Sequence, residues 1–159
     1  MEHKLLEKYR LFIKTLDANP FDFIIEEKQI DFPLIGQSFI KDFKTIGTTK
    51  AGCIIGEYEN RETQKKYIVW LDSEGEPNFP VAESIHDLFS ILPWGTGFIY
   101  DVAFRSLSNA EDRTETADDT LFVNDYEKTV GIKRHKQPEK VIRNAIKKNK
   151  TDLDNMIYK

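Results

Sequence analysis

Cysteine is nearly absent from the 159-residue chain, which has only Cys53. An internal disulfide is therefore impossible, and the fold has to rest on an apolar core, which a chain of this length can bury as one domain. No uninterrupted apolar stretch approaches the roughly 18 residues that suggest a membrane span. The opening run MEHKLLEKYRLFIKTL mixes charge with apolar residues. A secretory leader would need a continuous apolar run of about 7–15 residues. With a lone thiol suited to a reducing compartment, the expected location is cytoplasmic. Histidine is also scarce. His3, His86 and His135 are far apart, and none has the His/Cys spacing that holds zinc. No metal and no cofactor are expected.

Charge is present but uneven. Across residues 133–150 eight Lys or Arg stand against one Glu, whereas the whole chain carries a net charge of −4. The body before this segment is therefore strongly acidic, which bears on partners rather than on fold.

Periodicity gives the elements. Leu5, Leu6, Tyr9, Phe12, Ile13 and Leu16 recur at helical spacing, predicting a helix over 2–16. FDFII reads as a short strand. Pro33 precedes a second helix, with Phe39, Ile40 and Phe43 on its apolar side and Gly47 as its stop. AGCIIGEYE and KKYIVWLD read as a hairpin joined by NRETQ, and NFPVA as a third short strand. Within KKYIVWLD, Val69 and Leu71 should point to one face of the sheet and Ile68 and Trp70 to the other. Ser84 caps a helix carrying Ile85, Leu88, Phe89 and Leu92, with Asp87 three residues on and Pro93 at its end. FIYDVAF alternates as a strand, LFV and TVGI read as further short strands, and residues 106–120 as an exposed acidic loop. A C-terminal helical segment covers 138–157, through 150 and then either continuing or breaking at Thr151. The expected architecture is α+β: a single domain over 1–159, with a largely antiparallel sheet and flanking helices.

The stretch YIVWLDSEGEPNFPVAES, residues 67–84, places Asp72, Glu74, Glu76 and Glu83 in or beside a turn. Calcium is the first chemistry to test. An EF-hand loop counted from Asp72 puts Glu83 at its twelfth position but Pro77 at the sixth, where glycine is required. Asp72 and Glu74 as an acid–base pair fare no better, because such carboxylates come from separate elements across a cleft. Asp and Gly suit turns on backbone grounds alone. An exposed turn over 72–76 is the reading that survives.

Other motifs dissolve in the same way. Ser, His and Asp in SIHD sit on one helical turn and point apart, so they cannot relay a proton. WGTGFIY has Tyr100 where a dinucleotide fingerprint needs its third glycine. Cys53, inside an apolar strand, reads as an inert core residue. The basic segment KRHKQPEKVIRNAIKKNK lacks interleaved aromatics and needs its apolar residues for a core, so it reads as an amphipathic helix rather than a nucleic-acid reader. No catalytic constellation emerges, and a non-enzymatic binding role is expected.

Read whole, YIVWLDSEGEPNFPVAESIHDLFSIL and the upstream FPLIGQSFIKDFKTIG resemble the core of the SUKH superfamily, which includes fungal cell-wall-synthesis regulators and bacterial immunity proteins. The resemblance covers residues 32–92. IGTTKAG replaces the Asn-Gly usual after the first motif, and the chain beyond Tyr100 lies outside the match. It implies a SUKH-like fold and a module that binds and neutralises a toxin, some of which are nucleases with basic faces. The alternative is a regulatory or scaffold module with a cellular partner, and a third is nucleic-acid binding through the basic helix. The expected partner is a basic protein. Its candidate contacts are Asp72, Glu74 and Glu76, the loop acids Glu111, Asp112, Glu115, Asp118 and Asp119, and an exposed Trp94 as aromatic anchor.

Overall fold

Five antiparallel strands lie side by side in chain order in the computed structural model, which describes residues 2–27, 30–108 and 122–159. They are β1 (Ile24–Ile25), β2 (Phe43–Thr48), β3 (Ile54–Asn60), β4 (Lys65–Leu71) and β5 (Phe79–Ala82). Every adjacent pair is antiparallel, so short turns can join neighbours, as they do from β2 to β3 and from β3 to β4, whereas residues 26–42 join β1 to β2. The β3–β4 pair is in continuous register from Ile54 opposite Leu71 to Asn60 opposite Lys65. β2 and β3 approach closely at Gly56, where a Cβ would come within 2.4 Å of the Phe43 ring and 2.5 Å of the Lys44 carbonyl oxygen.

Both faces of the sheet are covered, which explains why Tyr67 to Leu71 are apolar without a break. Ile68 and Trp70 enter the larger core cluster, and Val69 and Leu71 the smaller. The two-face alternation expected of KKYIVWLD is therefore present. The larger cluster takes Tyr9 and Phe12 from α1 (Glu2–Lys14) and Leu88 and Phe89 from α3 (Ile85–Ile91). Edge-to-face contacts join Tyr9 to Phe89 at 5.3 Å and Phe12 to Tyr126 at 5.4 Å between ring centres. Burial drives the Tyr126 phenol well above its ordinary pKa. The smaller cluster takes Phe39 from α2 (Gln37–Lys41), with Leu153 and Ile157 from the C-terminal end. Ser84 caps α3 as its spacing suggests, its hydroxyl accepting the Asp87 N–H at 3.1 Å.

Four expectations are corrected. FIYDVAF is not a strand but part of α4 (Thr96–Ser108), reached through a 3-10 turn at Leu92–Trp94 that contains Pro93. Ile99, Val102 and Ala103 supply a buried stripe at helical spacing, while Phe104 of the alternating set is 50% exposed. The second helix stops at Lys41, and β2 starts at Phe43, although Phe39, Ile40 and Phe43 also fit one helical face. LFV and TVGI are not two strands. Val123 and TVGI's Thr129 and Val130 belong to α5 (Val123–Val130), which buries Val123, Tyr126 and Val130 and ends at Gly131 in left-handed geometry, φ 82°. The C-terminal segment is α6 (Pro138–Met156), continuous through Thr151. Ser106 to Ser108, expected in the acidic loop, are helical, and the rest of that expected loop, 109–120, lies outside the described residues.

A polar clamp ties α6 to the β3–β4 hairpin. The Asp152 carboxylate, 9% exposed, accepts from Asn60 Nδ2 at 2.9 Å, Thr63 Oγ1 at 3.0 Å and Tyr67 OH at 2.7 Å. Burial first, then the bond to Asp152, drives the Tyr67 phenol far above its usual pKa, so it stays a donor. Asp152→Ala is expected to cost about 3 kcal/mol, because two buried donors lose their acceptor. Urea denaturation should show that loss with an unchanged slope. A loss under about 1 kcal/mol would mean that water replaces the carboxylate.

Candidate acidic binding site

The turn after β4 is built by two side chains with turn chemistry, Asp72 and Asn78. Asp72 Oδ1 accepts the Glu74 N–H at 2.9 Å, and the Asp72 N–H donates to Asn78 Oδ1 at 2.9 Å. Asn78 Nδ2 donates to the Gly75 carbonyl at 2.8 Å, and the Gly75 N–H returns to the Asp72 carbonyl at 3.1 Å. Gly75 has φ +98°, a conformation that a Cβ would strain. The turn is therefore where it was expected, but it is not uniformly exposed. Asp72 is buried at 8% exposure because its carboxylate serves the turn, while Glu74 and Glu76 face solvent.

An open cavity of about 370 Å³ lies beside the turn. Asp22, Asp72, Glu74, Glu76 and Asp101 line it, with Trp70 and Tyr100 among the walls. The elements that deliver them are far apart in the chain. Asp72, Glu74 and Glu76 come from the turn after β4. Asp101 comes from the first turns of α4, where Gly97 and Asp101, like Thr96 and Tyr100, sit four residues apart on one side. Asp22, just before β1, has φ 53°, left-handed geometry that Asp tolerates better than most residues. Its Oδ1 accepts the Lys50 N–H at 2.9 Å, and its Oδ2 accepts from Thr96 Oγ1 at 3.4 Å. These bonds fix the carboxylate between the β2–β3 turn and α4.

The electrostatics follow from the composition: five carboxylates and no Lys or Arg among the lining residues. Tyr100 reports that field. Its phenol is pushed above its ordinary pKa, first by burial and then by the negative charge of Asp72 with smaller effects from Cys53, Glu74 and Asp101. Cys53 is buried as expected, yet it also lines the cavity, its Sγ 3.8 Å from Asp72 Oδ2. Trp70 is 3% exposed, and its Nε1 has no hydrogen-bond acceptor among the described residues. Those residues bring together no group of three His, Cys, Asp or Glu placed to hold a metal ion. The carboxylates instead give the cavity a negative lining.

Trp94 needs correction as an exposed anchor. It is half-buried, its indole N–H donates to the His135 carbonyl at 2.9 Å, and Phe98 stacks on it at 5.5 Å. The Arg134 guanidinium carbon lies 4.3 Å from the ring centre, so this face is already occupied by the chain itself. Trp94 also lies outside the cavity lining. Glu111, Asp112, Glu115, Asp118 and Asp119 lie outside the described residues. Of the expected contacts, the structure brings together Asp72, Glu74 and Glu76, and it adds Asp22 and Asp101. Asp101 follows Gly97 by one helical turn, a spacing visible only once 96–101 is read as helix, and packing brings both Asp101 and Asp22 to the turn.

The site and fold thus define an α+β domain with an acidic, aromatic-walled cavity at the end of its sheet. Compared with family models, curated proteins and solved structures, the chain matches none.

Proposed function

We propose that this is a non-enzymatic protein-binding module whose acidic cavity receives a basic segment of another protein. The observation that carries the reading is the convergence of five carboxylates, from three separate parts of the chain, on one open cavity. A lining with five carboxylates and no Lys or Arg favours a cationic occupant. The resemblance of residues 32–92 to the SUKH superfamily carries the proposal one step further, to an antidote that binds and blocks a bacterial toxin in the cytoplasm. A nuclease is a fitting target, since its substrate-binding face is basic and a cluster of carboxylates can stand in for phosphates.

The basic helix supports this division of labour. Lys148 Nζ lies 2.8 Å from Glu83, and Lys150 pairs with Asp154. Part of the charge on α6 is thus spent within the molecule.

The test is to purify the tagged chain from its native cells, identify what accompanies it, and measure the affinity against salt. The expected partner is a basic protein, encoded next to this chain, whose affinity falls steeply as salt rises. An acidic partner, or an affinity indifferent to salt, would overturn the reading.

A further inference from the structure

Glu76 lines two concavities. One is the acidic cavity; the other, of about 570 Å³, lies across the turn and is lined by Pro77, Phe104, Leu107, Ile157 and Tyr158. The two charged residues on its far side, Lys150 and Asp154, pair with each other and leave it apolar in character. Phe104 is 50% and Tyr158 56% exposed, an unusual display for rings this size. Leu34, 70% exposed, borders the same turn: its Cδ1 lies 3.7 Å from where a Cβ would stand on Gly75. Three of the five exposed large apolar side chains among the described residues therefore collect around one turn, which makes a patch rather than scatter.

An aromatic wall joins the two concavities. Trp70 and Tyr100 have ring centres 5.8 Å apart, and Tyr100 stacks on Phe104, one turn later on α4, at 6.1 Å. We propose that the two form one groove, which binds an extended peptide segment of the partner carrying a basic side chain next to an apolar one. This rests on the basic-partner reading above and specifies what the partner presents. The basic side chain enters among Asp101, Glu74 and Glu76, and the apolar one covers Phe104 and Tyr158. Charge complementarity sets the first half. The second half is set by apolar area that burial on binding would remove from water. The apolar half chooses a peptide over a simple polyamine, which has no apolar side chain to cover Phe104 and Tyr158.

The experiment titrates the full chain with blocked peptides that carry one arginine and one leucine separated by glycine spacers of increasing length. Peptides carrying only the arginine or only the leucine, and spermidine, serve as comparisons. The best two-residue peptide is expected to bind at least about tenfold more tightly than either single-residue peptide, since the second contact becomes intramolecular. Asp101→Asn should weaken every arginine peptide, while Phe104→Ser should remove only the gain from leucine. Both positions are exposed, so the fold is retained. If arginine binds and leucine adds nothing, the groove is wrong and the basic-partner reading stands. If no peptide binds while the chain still captures a basic partner in a salt-dependent way, the basic contact lies elsewhere and this inference falls alone. Spermidine binding as tightly as the best peptide would overturn it in favour of a small cation. Concentration-dependent dimerisation blocked by Phe104→Ser would do so in favour of a second copy of the chain.

Discussion

Ile142→Asp is expected to leave the chain unfolded at room temperature, whereas neutralising Lys147 and Lys148 together is expected to change stability by less than about 0.5 kcal/mol. Ile142 is fully buried in the larger core cluster, on the face by which α6 meets the rest of the domain. A carboxylate there has neither water nor a cation, and burying it unpaired costs several kcal/mol against a typical total of about 5–15. Lys147 and Lys148 are exposed, and the Lys148–Glu83 pair at 2.8 Å is a surface ion pair of small value. Circular dichroism and thermal melts separate the two outcomes. A folded Ile142→Asp protein would mean that α6 is not a wall of the core. Loss of partner binding in the folded lysine variant would move the interface to α6 and revive the nucleic-acid reading.

What the sequence discloses depends on how local the cause is. The β3–β4 hairpin, β5 and the α3 cap are legible because turn residues, strand period and capping spacing agree within a few positions. Both faces of β4 were likewise legible, since a strand's period of two leaves no choice once the strand is placed. α4 was not, because Phe98, Tyr100, Val102 and Phe104 alternate while Ile99, Val102 and Ala103 keep helical spacing, and a run this short fits both periods. The packing decides: the stripe at 99, 102 and 103 is buried, and Phe104 is left outside. The junction at 41–43 failed for a related reason, an aromatic stripe that continues across a change of element. At the site, the acids of the turn were visible as acids, but not that Asp72 is consumed in building the turn. Asp22 and Asp101 join the cluster only through packing of the β2–β3 turn and α4 on the sheet. The partners of Trp94, Arg134 and His135, are not near it in sequence, so local pattern leaves it free.

The largest functional effect is expected from reversing charge where it is not structural. Glu74, Glu76 and Asp101 are exposed, and none accepts a hydrogen bond found among the described side-chain contacts that build the turn. Glu74→Lys, Glu76→Lys and Asp101→Lys combined should therefore fold normally, with a melting temperature at or slightly above that of the parent as mutual repulsion is relieved. Affinity for the basic partner should fall at least about a thousandfold, since close charge pairs across interfaces couple by about 1.5–7 kcal/mol each and here attraction turns to repulsion. The loss should appear in both rates. Association slows because steering is reversed, and dissociation quickens because the cavity no longer holds a cation. Raising salt should then strengthen the residual binding rather than weaken it, an inversion that a merely damaged fold does not produce. Asp72→Asn offers the matching control. It keeps the acceptor for the Glu74 N–H while removing one charge, so it should cost far less than the triple reversal. An affinity within about threefold of the parent for the triple variant, under 0.7 kcal/mol by the usual conversion, would place the partner's contact outside the cavity.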